Sequence, residues 1–582
     1  MFWRNKRNPP PVPTAATPAP AGAWLCEQVF LWFGGALPAG IAPDHSHTID
    51  AKSGLAVHGF ASPTVAREFR QAGGSRMQEV RDPPVMARLR AQSGNVLSAG
   101  LAQTLEWDLS VTDRIQLAET LSFVRDLVRP RLPSPVAGGL PVLCIDRLVR
   151  SGPGSFHVHG WWRNRTARVA RLAIISPEGL RAELLHGLST VARRDIPAIF
   201  PGDSYTGFLT AFDLPCDNLL DSGWLMELET ADGFVCEAPV PPALTEPGEA
   251  IAAVLPDLEL ESPPNPFGVA GHVDRTVSLL LARRRASGTP VESLAFGPSP
   301  AAPQLSVIVP LFKRVDLLEH QLAAFAQDPD WRNCELIYVL DSPEDAAALR
   351  LRADGLFALY GVSFRLILPG HTGGYAVANN LGVRHARASL LLLLNSDVLP
   401  VAPGWLPRLI AAYRRRGNVG AMGPKLLFED GSIQHAGEGY RAMGDGFGWE
   451  ADPFFKGMHR ELAAANQPRR VPAVTGACLL VARADFLRVG GFDEGYVQGD
   501  YEDLDLCRRL AAAGLHNWYE PGIELYHLEG ASYPSRQRAA NLRYNRWRHS
   551  QVWGDEIAAM ASARETKLPG ADPKFPRARI VA

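Results

Sequence analysis

A surplus of positive charge is missing from this chain. Lys and Arg number 59, Asp and Glu 61, and the formal net charge is −2. A dedicated nucleic-acid binder carries a basic excess on its binding surface, so nucleic acid is not an expected partner. Long apolar runs are missing too. A membrane span needs ~20 mostly apolar residues. The longest purely aliphatic run is five leucines at 390–394, and Asn395 ends it. Residues 24–42, behind Arg4, Lys6 and Arg7, are the best candidate for a secretion signal. They contain Glu27, Gln28 and Pro38 and follow a Pro-Ala stretch, which is unlike a signal core. Cysteine is sparse: Cys26, Cys144, Cys216, Cys236, Cys334, Cys478 and Cys507, an odd number without a CxxC pair. That pattern fits a reducing compartment and offers no zinc site, so a cytoplasmic protein is expected. Two phosphate-binding signatures are also lacking. No GxGxxG follows the first strand of the α/β region, and no GxxxxGK[ST] occurs, which argues against a dinucleotide dehydrogenase and a P-loop enzyme.

What the chain does have is turn chemistry, 53 Gly and 48 Pro, against an ordinary globular background of 46% hydrophobic and 21% charged residues. Residues 1–23 are a Pro/Ala-rich leader that cannot bury a core. Residues 24–135 form a mixed α/β or β-rich module. "VFLWFGG" and "GLAVHGF" read as short strands, and residues 112–129 have helical spacing behind a capping residue. Residues 136–243 carry β-type runs such as "VLCIDRLVR", "SFHVHGWWRN" and "TGFLTAFDLP" with turns between them, the spacing of a β-sandwich-like module. Trp161 and Trp162 in this module are read as core rather than as an exposed sugar-stacking platform. Residues 244–303 are a Pro-rich linker holding one helix at about 272–286.

From Leu305 strands and helices alternate. Strand starts near 305, 334, 362 and 389 lie 29, 28 and 27 residues apart. That is the βαβ rhythm of a doubly wound sheet. Ligands of such sheets bind at the carboxyl ends of the strands, which directs attention to the polar residues there. Asp341 ends the second strand and can accept from a base imide, from ribose hydroxyls, or from the next helix as its cap. Gly373 and Gly374 with Asn379 and Asn380 open the third helix, where backbone can approach phosphate. Asn395-Ser396-Asp397 follow the five leucines. A carboxylate there can hold a hard divalent cation or close an Asx turn. Glu502 and Asp503 begin a helix behind a glycine-rich aromatic turn. They can complement the helix dipole, or one can act as general base. His527 closes a strand-like "IELYH" as a metal ligand or a hydrogen-bonded structural residue.

Taken in order, these segments resemble the family-2 glycosyltransferases of the nucleotide-diphospho-sugar (GT-A) fold, in particular the rhamnosyltransferase-like bacterial branch. The matching stretches are "LSVIVPLFKR", "VLDS", "GGYAVANNLGV", "LLLLLNSDV", "GAMGPKLLFEDGSIQHAG", "VTGACLLVARADFLRVGGFDEGY", "YEDLDLCRRLAAAG" and "YHLEGAS", over about residues 304–534. The resemblance implies a GT-A α/β catalytic domain at 304–535, preceded by the β-rich module and followed by a helical tail at 536–582. It implies an inverting transferase of the hexosyl- or deoxyhexosyl-transferase type, at work in bacterial surface polysaccharide or glycan synthesis. Pro310, Lys313 and Asp341 would line the nucleoside pocket, and Gly374 and Asn379 the nucleotide. Asn395, Ser396 and Asp397 stand at the family's DxD position, with Asp397 and His527 as ligands of Mg²⁺ or Mn²⁺. Asn in place of the first Asp leaves one charge fewer for the cation. Thr475, Gly476 and Ala477 would form the floor between donor and acceptor. Asp503 would be the catalytic base, with Glu502 orienting it or the acceptor. The implied partners are a UDP- or dTDP-sugar donor and a glycan or lipid-linked glycan acceptor.

Two rivals are weighed. A sugar nucleotidyltransferase would show a Gly-rich loop after the first strand, and "PLFKRVD" has no glycine. A catalytically inactive carbohydrate-binding or scaffold protein would have lost Asp397, Asp503 or His527, and all three are present. The tail at 541–554, arginines among aromatics, either touches an anionic membrane surface at the inner face of the cell membrane or packs as a helix on the catalytic domain.

Overall fold

The computed structural model describes short strands between residues 22 and 60, most of residues 143–286, residues 290–528 and residues 535–562. The helix expected at 112–129, most of the leader and the last twenty residues lie outside the described residues. Contacts divide the chain into two compact units. One comprises Met1–Val254 with Pro266–Leu280, the other Leu255–Asn265 with Leu281–Ala582.

In the first unit, β1 (Gly22–Leu25), β2 (Phe30–Gly34), β3 (His45–Asp50) and β4 (Leu55–Phe60) pair in the order β1-β2-β4-β3. Two further four-stranded antiparallel sheets follow. One orders β5 (Leu143–Gly152), β6 (Ser155–Arg163), β10 (Tyr205–Asp213) and β9 (Ser189–Val191). The other orders β12 (Val235–Pro239), β11 (Leu225–Thr230), β7 (Val169–Ile175) and β8 (Arg181–Glu183). Both sheets feed one core that contains Phe156, Val158, Leu172, Ile174, Phe208, Trp224 and Met226. Alternate residues of a strand face opposite ways, so each sheet can give one face to this core. Trp161 and Trp162 are both buried. Trp162 stacks on Phe208 at 5.2 Å between ring centroids, and Trp161 meets Tyr205 edge-on at 5.4 Å. The helix α1 (Pro247–Val254) closes this stretch. After it comes α2 (Val269–Arg285), whose Val273 and Val277 are fully buried.

The second unit is built on a mixed sheet. Its central elements alternate along the chain: β14 (Leu305–Leu311), α3 (Leu317–Ala326), β15 (Cys334–Leu340), α4 (Ala346–Tyr360), β16 (Phe364–Pro369), α5 (Tyr375–His385) and β17 (Leu390–Leu394). Strand β14 pairs in parallel with β15 on one side and β17 on the other, and β15 pairs in parallel with β16. The order β16-β15-β14-β17 therefore reverses at β14, and a crevice opens beyond the carboxyl ends of β14, β15 and β17. The five leucines divide by parity. Leu390, Leu392 and Leu394 join one core layer, Leu391 and Leu393 the other. A strand that must bury both faces reads as a continuous apolar run.

Past β17 the chain makes β18 (Val398–Pro400), α6 (Trp405–Arg414), β19 (Val419–Leu427), β20 (Ile433–His435), β21 (Glu438–Ala442), β22 (Trp449–Pro453), β23 (Arg469–Arg470), β24 (Cys478–Ala482), α7 (Arg483–Arg488), α8 (Glu502–Ala512), β25 (His516–His527) and α9 (Ser535–Ser562). Strand β24 enters antiparallel to both β17 and β19, so the sheet is mixed rather than parallel throughout. One strand falls in the expected Pro-rich linker. Val291–Phe296, β13, pairs antiparallel with β16 at the sheet edge. Its residues are mostly exposed, so it lacks the alternation that marks a half-buried strand. No helix among the described residues is long and apolar enough to cross a membrane.

Candidate active site

The crevice at the sheet's reversal is a cleft of ≈ 500 Å³. Pro310 at the end of β14, Asp341 after β15 and Asn395, Ser396 and Asp397 after β17 all line it. Asp341 is only 4% exposed. Its Oδ1 accepts from the Gly373 N–H at 2.5 Å and the Gly374 N–H at 3.1 Å, and its Oδ2 accepts from Gly374 at 3.0 Å. Burial outweighs these bonds and pushes its pKa up to about 7. Asp341 thus holds the loop before α5 in addition to facing the cleft. Gly374 takes φ 91°, and a Cβ there would lie 3.1 Å from the Cα and carbonyl oxygen of Gln498. Glycine permits that approach, and the Tyr375 N–H then donates to the Gln498 carbonyl at 2.6 Å. Lys313 sits in the turn after β14 at φ 58°, with its N–H donating to Ser342 Oγ at 3.1 Å. Asn379 is fully buried on α5, its Nδ2 donating to the Tyr375 carbonyl at 3.0 Å. Lys313, Gly374 and Asn379 are not among the residues lining the cleft.

One corner of the cleft has the makings of a cation site. The Asn395 carbonyl accepts from Gln321 Nε2 at 2.8 Å and from the Val398 N–H at 3.2 Å, which closes a tight turn. Strand β18 then pairs with the end of β25, placing Val398 opposite His527. Asp397 Oδ1 and His527 Nε2 come within 3.3 Å, both side chains largely buried. His527 Nδ1 lies 2.8 Å from Gln434 Oε1. That oxygen can only accept, so Nδ1 donates to it, and Nε2 is left facing Asp397. Metal-binding histidines are commonly oriented in this way. Asn395 Oδ1 is buried beside them without a hydrogen-bond partner. Among the described residues no group of three or more His, Cys, Asp or Glu side chains could enclose a cation alone. The donors fit a hard divalent ion that takes its remaining ligands from phosphate and water.

The same cleft is lined by the acid pair, Glu502 and Asp503. Asp503 Oδ2 accepts from the Gly476 N–H at 2.7 Å, and its Oδ1 from the Leu504 N–H at 2.8 Å. Tyr375 fastens the same floor, donating from its hydroxyl to the Gly476 carbonyl at 2.8 Å. Glu502 is 4% exposed, and its Oε2 has no hydrogen-bond partner. Burial raises both carboxyls. Asp503 adds to the shift at Glu502, and Glu438 adds to the shift at Asp503. Glu438 also lines the cleft, with 3.1 Å between its Oε1 and His435 Nδ1. His435 Nε2 accepts from the Thr475 N–H at 3.4 Å, while its Nδ1 makes no hydrogen bond.

Several of these residues had no role in the sequence reading. Gln434 and His435 lie in "GSIQHAG"; Gln434 Oε1 meets His527 Nδ1, and His435 Nε2 accepts from the Thr475 N–H. Arg538, Asn541 and Leu542 also line the cleft, and all three belong to α9. Described arginines of this helix are engaged within the same unit. Arg543 pairs with Glu259, Arg546 with Asp445 and Arg548 with Asp493, while Trp547 and Trp553 are buried. These contacts match the packing alternative for the tail.

Residues 303–549 match the family model described as glycosyltransferase like family 2. An uncharacterized protein, y4gI, of Sinorhizobium fredii is 32% identical over 244 residues, covering 42% of this chain and 26% of that protein. The O-antigen biosynthesis protein RfbC of Myxococcus xanthus is 30% identical over 270 residues, covering 44% and 20%. The N-acetylglucosaminyl-diphospho-decaprenol L-rhamnosyltransferase of Mycobacterium tuberculosis is 33% identical over 160 residues, covering 26% and 50%. The chain thus spans half or less of the length of these relatives. Among solved structures, GalNAc-T7 with UDP, GalNAc and Mn²⁺ aligns with a TM-score of 0.35 at 18% identity, covering 47% of this chain and 53% of that one. Residues 303–549, then, form a segment that matches the family-2-like glycosyltransferases.

Proposed function

We propose that this protein is an inverting GT-A glycosyltransferase that moves a hexosyl or deoxyhexosyl unit from a nucleotide-diphosphate sugar to an acceptor hydroxyl in surface-polysaccharide synthesis. The observation that carries this reading is that the Asp397–His527 corner and the Glu502–Asp503 pair line the same cleft. Asp341 and Pro310 receive the nucleoside, with UDP- or dTDP-sugars favoured because a carboxylate matches an imide N–H. Asp397 and His527 would hold Mg²⁺ or Mn²⁺, and such a cation would supply charge neutralisation for the leaving diphosphate.

Asp503 takes the proton of the acceptor hydroxyl as that oxygen forms its bond to the anomeric carbon. The bond from that carbon to the diphosphate oxygen breaks on the opposite face, and the nucleoside diphosphate leaves. A carboxyl with a raised pKa suits this step near neutral pH. The amides of Gly476 and Leu504 fix its two oxygens, so the base needs little reorganisation before it acts. The acceptor, a glycan or lipid-linked glycan, enters past Glu438 and Glu502.

A donor screen with UDP-, dTDP- and GDP-sugars plus Mn²⁺ or Mg²⁺ tests the assignment. One nucleotide diphosphate should bind by calorimetry and lose affinity in EDTA. Asp503→Asn should leave that affinity within about threefold while turnover falls by roughly 10²–10⁴. Normal turnover in this variant would remove Asp503 from the mechanism.

A further inference from the structure

The loop that delivers the acid pair is strained. Gln498, Asp500 and Tyr501 stand at φ 65°, 77° and 78°, directly before Glu502. Non-glycine residues adopt this region rarely, and three within four positions need support from outside the loop. The support comes from α9. Asn545 is fully buried there. Its Oδ1 accepts from the Val497 N–H at 2.8 Å. Its Nδ2 donates to the carbonyls of Val497 at 3.1 Å, Gly499 at 2.8 Å and Asp500 at 3.0 Å. One amide thus reaches four backbone groups of the loop, its two N–H bonds shared among three carbonyls. His549, four residues on and on the same helix face, lies 3.2 Å from the Tyr496 hydroxyl and packs on the Tyr501 ring at 5.4 Å. Arg538, on the same face, pairs with Asp500 at 3.5 Å. The loop in turn meets the donor side of the cleft where the Gln498 carbonyl accepts from Tyr375.

We propose that Asn545 is a positioning residue for catalysis: by clamping residues 497–500 it fixes the start of α8 and so the aim of Glu502 and Asp503 across the cleft. The inference rests on the transferase reading given above. A carboxylate misplaced by about 1 Å costs on the order of a hundredfold in rate. Asn545→Ala removes all four bonds. Asn545→Asp keeps the acceptor for Val497 and turns the donor into a second oxygen facing three carbonyls.

Three measurements on the full chain test the clamp. The first is backbone hydrogen exchange across residues 496–510. The second is calorimetry with UDP, dTDP or GDP plus Mn²⁺. The third is release of nucleoside diphosphate from whichever nucleotide sugar the donor screen selects. The expected result for Asn545→Ala is faster exchange confined to residues 497–503 and nucleotide affinity within about threefold of wild type. Its kcat should fall roughly a hundredfold, and Asn545→Asp should fall further than Asn545→Ala. Unchanged exchange in residues 497–503 would overturn the clamp. So would turnover within threefold of wild type, or losses of turnover and nucleotide binding that move together with a global drop in Tm. If Asn545→Ala does not fold, the isosteric Asp variant carries the same three measurements. Exchange needs no substrate, so it decides the clamp even when no nucleotide binds, and that outcome counts against the transferase reading alone.

Discussion

Asp341 and Asp503 sit where burial works against their charge, and this has a consequence at two pH-dependent levels. Both carboxyls are pushed from 3.8 up to about 7. If Asp503 is the base, kcat/KM should fall on the acid side of neutrality with an apparent pKa near 7. Replacement of Glu438 by Gln should move that limb to lower pH, because the Glu438 carboxylate adds to the shift. The same values bear on folding. A folded-state pKa above the unfolded one means that the folded chain holds the proton more tightly. The resulting contribution to stability is complete below about pH 4 and is lost as pH rises through about 7. A Tm series of the nucleotide-free protein should show this decline, and an Asp341→Asn/Asp503→Asn variant should flatten it. The residues flagged in the sequence were legible because they follow strands or begin a helix, positions where polar side chains stand out. Gln434 and Asn545 were not, because their roles depend on partners 93 and 48 residues away in sequence.

At the scale of elements, the alternation of β14 to β17 with α3 to α5 was plain because each strand is buried on both faces and each helix has a regular period. The five leucines show the energetic side of this. Leu392 is fully buried between strands β14 and β24, whereas Leu351 on α4 is 87% exposed. Leu392→Ala should destabilise the catalytic unit by about 2–5 kcal/mol, the sum of lost transfer energy and an unfilled cavity. Leu351→Ala should stay within about 0.5 kcal/mol. Urea denaturation followed by tryptophan fluorescence would measure both, and equal effects would contradict the burial assigned to the strand. Strand β13 was not legible, because it is a mostly exposed edge strand between prolines in which only Leu294 and Phe296 pack against the core. Helix α9 was legible as a helix, while its role at the cleft was hidden. The face that matters bears Arg538, Asn541, Asn545 and His549, a polar series that resembles a solvated surface until its partners are known.

For the molecule as a whole, the division into two units implies two cooperative transitions, each with its own core. The core of the first is apolar and aromatic. Trp224 is 1% exposed, and its ring lies 4.9 Å from that of Phe156. No comparable catalytic signature lies among the described residues of that unit, so it offers little chemistry to read. The βαβ unit disclosed chemistry because its strand order forces the polar ends of distant strands into one crevice. Calorimetry of the full chain should therefore resolve two unfolding events. Trp224→Ala should lower one of them, by about 3–5 kcal/mol in stability. A nucleoside diphosphate with Mn²⁺ should raise the other, by about 2.7 kcal/mol at a hundredfold excess over its Kd, since a ligand stabilises only the unit that binds it. If Trp224→Ala and the nucleotide moved the same transition by these amounts, the two units would be one cooperative fold, and the cleft would draw its stability from both cores.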